Sequence, residues 1–191
     1  MSPELWWYTA RSGGIVALAL ASASVLWGLL LSTRVMQGRP SPRWLLDLHR
    51  FLGGMAVLFT GVHVAALVAD TTIAFSWTDV LIPFASSWNP VAVSFGVVAA
   101  YLLLAVQLSS MLMKHLPRRQ WKWIHLSSYG LFWLGIAHGA MAGTDAGNPV
   151  YIAGFGVSTL LVLFLTTYRL LPRERTRPAA RARTPTPAAA P

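Results

Sequence analysis

The chain has 191 residues, of which 55% are hydrophobic and only 11% charged, yet its formal net charge is +9. A soluble domain carries about 25% charged residues, so the composition excludes an ordinary water-soluble globule. The long uncharged stretches exclude a nucleic-acid binder, whose Lys and Arg spread over the folded surface.

Stretches apolar enough to cross a bilayer, at about 20 residues each, run over 13–33, 46–69, 90–113, 121–142 and 150–170. They predict an all-α fold: an integral membrane bundle of five transmembrane helices within residues 1–171. The first stretch follows Arg11 and resembles a signal peptide in its small apolar residues. Arg34, Arg39 and Arg43 behind it give the opposite orientation, so it is expected to stay as a span. The second stretch carries His49 and His63, and the fourth carries His125 and His138. Residues 172–191, dominated by Pro, Ala and Arg, cannot build a core and predict a disordered cytoplasmic tail.

The positive charge sorts by connector. Arg34, Arg39, Arg43 and Arg50 surround the first connector, Lys114, Arg118, Arg119 and Lys122 the third, and six arginines from Arg169 onward the C-terminus. Arg11 alone lies elsewhere, while the second and fourth connectors hold Asp70, Asp79 and Asp145 without Lys or Arg. By the positive-inside rule the chain is a multi-pass cell-membrane protein with its N-terminus outside and its C-terminus cytoplasmic. Trp6, Trp7, Trp44, Trp77, Trp88, Trp121 and Trp123 fall near helix ends, as interfacial anchors do. The basic tail reads first as attraction to anionic membrane lipid.

Zero cysteines exclude disulfides, thiolate zinc sites and iron–sulfur clusters, which leaves the five histidines as the strongest metal ligands. His49 and His63 are 14 residues apart and His125 and His138 are 13 apart, or about 21 and 20 Å along a helix axis. Both helices run from inside to outside, so His49 matches His125 in depth and His63 matches His138. Two imidazoles facing each other at one depth are what a six-coordinate b-type haem needs, and two such pairs predict two stacked haems. His49 and His63 share a helix face, whereas 13 residues leave His125 and His138 about 140° apart on a straight helix. The fourth helix must therefore tilt, bend or present its ligands from its flanks. Gly53, Gly54, Gly61, Gly130, Gly135 and Gly139 on these helices are places where flat rings could approach, or ordinary small-residue packing positions. His115, beside Lys114, has no depth partner and is left out of the ligand set.

The spacings resemble the ferric reductase-like transmembrane domain superfamily. So do the segments Asp47-Leu48-His49-Arg50-Phe51-Leu52-Gly53, Trp121-Lys122-Trp123-Ile124-His125-Leu126-Ser127-Ser128-Tyr129 and His138-Gly139-Ala140-Met141-Ala142-Gly143-Thr144-Asp145. That superfamily includes ferric reductases, NADPH oxidases and the haem-binding membrane subunit of the methionine sulfoxide reductase system. The resemblance covers roughly Trp44 to Tyr168. It implies an oxidoreductase membrane subunit with two b-type haems, His49 and His125 ligating the cytoplasmic-side iron and His63 and His138 the outer one. It further implies electron transport from a cytoplasmic flavin donor to ferric iron or a periplasmic redox partner. Larger members continue into FAD- and NAD(P)H-binding domains. These 191 residues hold no glycine-rich dinucleotide fingerprint, so FAD or FMN and NAD(P)H are expected on a separate flavoprotein reductase.

Arg50, and Arg43 or Lys122, are candidates to pair with haem propionates on the cytoplasmic side, with simple snorkelling as the alternative. On the outer side the candidates are the neutral donors Trp77, Ser86, Ser87 and Asn89. Phe59 and Phe132 lie between the two histidine levels, where lipid-facing or core packing is the simpler role. Two other readings compete: a non-catalytic haem-binding assembly or sensor subunit, and a metal or proton transporter with a histidine relay.

Overall fold

The computed structural model describes residues 3–33 and 41–171. Among them the chain forms helices and no strand: α1 (Pro3–Thr33), α2 (Pro42–Ala69), α3 (Trp77–Leu81), α4 (Pro90–Met111), α5 (Arg118–Leu126), α6 (Ser128–Ala142) and α7 (Pro149–Leu170). Four of these helices, α1, α2, α4 and α7, are long and apolar enough to cross a membrane. The expected tail, together with Arg34 and Arg39, lies outside the described residues.

Three of the long helices start where the sequence supplies a proline at the first turn, whose missing N–H would have no partner there anyway. Ser41 caps α2 by accepting from the Trp44 N–H, and Asn148 caps α7 by accepting from the Val150 N–H. Asn89 enters α4 in the left-handed region at φ 40°, with Pro90 following.

The elements differ from the sequence expectation in three places. First, α1 begins ten residues before its apolar run. Glu4 in its first turn complements the helix dipole, and Trp6 and Trp7 suit the interface, so the helix continues past its apolar core. Second, the connector 70–89 contains the short helix α3, held by a capping box in which Ser76 and Asp79 exchange hydrogen bonds. Third, the fourth apolar stretch is two helices broken at Ser127. The Ser127 N–H is shared between the Trp123 and Ile124 carbonyls at 3.3 and 3.1 Å, and its hydroxyl donates to the Ile124 carbonyl at 2.6 Å. Such back-bonding draws the preceding turn tight and bends a helix.

α1 packs along α2, α4 along α6, and α7 lies against α1, while α2 and α6 are not closely packed on each other. The middle of the bundle is closed by small side chains: Ala21, Ala56 and Ala99 form one buried cluster with Leu103 and Leu131. A second cluster joins Leu29, Phe132, Val162 and Leu165 of α1, α6 and α7. Phe132 is therefore core packing against α7. The outward face of α7, including Leu160 and Phe164, is exposed in the bundle, as suits a lipid-facing helix.

Candidate functional site

The gap between α2 and the α5–α6 pair is bridged by histidine rings. The His49 and His125 ring centroids are 5.9 Å apart, and those of His63 and His138 are 6.3 Å apart. Two imidazoles bound to opposite sides of one metal ion would sit about 6 Å apart, given a metal–nitrogen bond of about 2 Å and a ring radius near ~1.2 Å on each side. The ring planes cross at 69° and 78°. The break at Ser127 separates His125 from His138 along the chain, so the two rings need not obey the phase of one straight helix.

Three of the four rings are anchored in the same way. The Nδ1 of His63 donates to the Ala10 carbonyl at 2.6 Å, that of His49 to the Ser24 carbonyl at 2.9 Å, and that of His138 to the Ala92 carbonyl at 2.7 Å. A carbonyl has no proton to give, so Nδ1 carries it, and Nε2 keeps its lone pair. Among the described residues no hydrogen bond reaches Nε2 of any of the four rings. This is the tautomer and orientation a metal-ligating histidine requires. His125 differs: its Nδ1 is 3.5 Å from the Ser110 hydroxyl, and its ring stacks on Trp121 with centroids 5.0 Å apart.

Each carbonyl anchor is followed four residues later by a glycine: Ala10 by Gly14, Ser24 by Gly28 and Ala92 by Gly96. In a helix the side chain at i+4 flanks the carbonyl of residue i, so only glycine leaves room for an imidazole to reach that oxygen. A Cβ at Gly96 would lie 2.7 Å from the His138 ring, one at Gly14 2.9 Å from His63 Nδ1, and one at Gly28 3.2 Å from His49 Cε1. Gly14 and Gly28 are 14 residues apart, matching His49 and His63 on the facing helix. That equal spacing is the signal sequence reading passed over.

Of the six glycines singled out from sequence, five have other side chains beside them. Gly53 and Gly54 neighbour Gln107, Gly130 neighbours Leu102, Gly135 neighbours Leu18, and Gly139 meets Tyr151, Phe155 and Leu18. Gly61 meets nothing within 4 Å. Arg50 is exposed and paired with Asp47 at 3.7 Å, a surface contact of small energetic weight. Exposed His115 lies in the turn after α4. Ser86 is engaged with the Trp88 backbone, and the Asn89 side chain donates to the Met141 carbonyl of α6.

His63 and His138 open into an apolar cavity also lined by Gly14, Gly96, Leu18 and Val64. Its rim carries Arg11 of α1 and Asp145 of the α6–α7 connector, joined by two hydrogen bonds through guanidinium Nε and Nη2. That contact holds the Asp145 carboxyl below the usual carboxylate range. Stability owed to this pair is present above the unfolded carboxylate value of about 3.9 and is lost as the pH falls through the lower folded value. Melting curves of wild type and Asp145→Asn should therefore differ at neutral pH and converge as the pH falls through the lowered folded value of Asp145. Curves that stay equally separated at all pH values would show that the pair contributes nothing titratable.

Among the described residues no three His, Asp or Glu side chains converge. Each imidazole pair is thus two ligands short of a tetrahedral protein cage. Two opposed imidazoles, with the His63–His138 pair facing an apolar cavity lined by Gly14 and Gly96, are a donor set suited to a metal that brings further ligands of its own. A haem fits these residues. Comparison with family models, curated proteins and solved structures found no match to the chain.

Proposed function

We propose that the chain is a membrane electron-transfer protein whose four histidines hold two b-type haems, His49 with His125 toward the cytoplasm and His63 with His138 toward the outside. The observation that carries this reading is the pair of ring-to-ring separations near 6 Å, at two levels about 21 Å apart along α2. When bound, the haems supply one-electron chemistry at two depths of the bilayer. The chain supplies the rest. The Ala10, Ser24 and Ala92 carbonyls hold Nδ1 protons so that Nε2 stays free. The alanine and leucine cluster between the levels excludes water from the path and keeps the helices at fixed spacing.

On this reading α5 and α6 together form a fifth crossing, since their combined length of about 36 Å exceeds a hydrocarbon core of about 30 Å. The distribution of Lys and Arg sets the N-terminus outside. The electron donor is a cytoplasmic flavoprotein carrying FAD or FMN, and the acceptor is ferric iron or a redox protein outside. Arg50, free to exchange its exposed contact with Asp47, is the candidate partner for an inner propionate. A pyridine haemochrome assay on the purified chain should count two haems per polypeptide. A chain that binds no haem under haem-replete expression would rule the reading out.

A further inference from the structure

We propose that Arg11 is the carboxylate-binding residue of the outer cavity, with Asp145 holding it in position; this rests on the haem reading above. A guanidinium is a planar fork with five N–H donors. Asp145 takes the edge formed by Nε and one hydrogen of Nη2. The second edge, formed by Nη1 and the remaining Nη2 hydrogen, has no partner among the described residues. That free edge has the geometry to take a carboxylate through two parallel hydrogen bonds.

Position supports the assignment. Arg11 follows Ala10, whose carbonyl anchors His63, and it lines the same cavity as His63 and His138. It is the one Lys or Arg outside the three basic clusters of the sequence. Of the other acids, Asp70 accepts from the Thr72 hydroxyl and Asp79 from Ser76, while Glu4 lies seven residues before Arg11 on α1. The Arg11 side chain is 38% exposed while that of Asp145 is 15% exposed, so the aspartate is the seated member and the arginine the one reachable from outside. Asp145 is thus a positioning residue that removes rotamer freedom from a long side chain before the ligand arrives.

The carboxylate has two sources, a propionate of the haem held by His63 and His138, or the carboxylates of an external electron acceptor. The test uses the full chain in lipid nanodiscs. Outer-level uptake is read as the part of the Soret band missing from His63→Ala. In the first arm, wild type, Arg11→Gln, Arg11→Lys and Asp145→Asn are loaded with haem or with haem dimethyl ester, whose propionates are blocked. In the second, reduced protein is reoxidised by ferric citrate or by hexaammineruthenium(III), a cation. A propionate contact predicts that wild type prefers haem over its ester by about tenfold, the size of one charge-assisted bond. Arg11→Gln loses that preference, and Arg11→Lys and Asp145→Asn retain part of it. An acceptor contact predicts no ester effect but slower reoxidation of Arg11→Gln by ferric citrate alone. If Arg11→Gln fails to fold, Arg11→Lys, which lacks the second fork edge, must show the reduced preference or rate. The proposal is overturned if neither readout changes, or if all variants lose haem and ester equally, the mark of a purely structural ion pair. Wild type without any Soret band overturns the haem reading itself.

Discussion

His63→Ala and His138→Ala should each remove the same half of the haem, and the double variant should lose no more than either alone. On the proposed assignment the two rings, 6.3 Å apart, share one iron, so removing either would leave it a single protein ligand. His49→Ala and His125→Ala should together define the other half, because their rings are 5.9 Å apart at the other level. A variant combining His49→Ala with His63→Ala should bind none. His115→Ala, in an exposed turn, should keep full haem content. Haemochrome assays and Soret amplitudes on these purified variants check the pattern. Four single variants that keep all their haem would refute the ligand assignment.

Gly96→Val should empty the outer level while leaving both of its histidines in the chain. The added Cβ would lie 2.7 Å from Nδ1 and Cε1 of His138, a separation real Cβ atoms do not tolerate. The ring cannot retreat without breaking its 2.7 Å hydrogen bond to the Ala92 carbonyl. Overpacking of this kind costs about 1–3 kcal/mol, or roughly 5- to 150-fold in affinity if it falls on the bound state. The alanine series should be graded: Gly96→Ala worst, then Gly14→Ala at 2.9 Å, then Gly28→Ala at 3.2 Å, with Gly28→Ala acting on the inner level alone. Gly61→Ala, with nothing within 4 Å, is the control. Haem titration of each variant measures the order. Equal affinities across the series would show that the glycines do not set the approach of the rings.

The helix bundle and the facing of the histidines were legible in sequence because both rest on simple periodicities. Apolar runs mark α2, α4 and α7 within a few residues of their ends. Spacings of 14 and 13 residues on like-oriented helices bring His49 to His125 and His63 to His138. What escaped depends on contacts between helices. Gly14, Gly28 and Gly96 meet histidine rings of the helix opposite, whereas reading each histidine helix alone directed attention to the glycines on that helix. The carbonyls of Ala10, Ser24 and Ala92 have no side-chain signature at all. The awkward 13-residue phase left tilt, bend or flank presentation open, and the break at Ser127 follows from a backbone donor shared between two carbonyls. Arg11 entered the charge count only as the exception to the positive-inside pattern; its fork onto Asp145 joins residues 134 positions apart in sequence.

If the two imidazole pairs each hold a low-spin iron at its own depth, a redox-titrated optical spectrum of the purified chain will show low-spin b-type bands that reduce in two one-electron waves, one of them missing from His63→Ala and the other from His49→Ala. A spectrum without a Soret band, or a single high-spin component unaffected by all four histidine substitutions, would contradict that assignment.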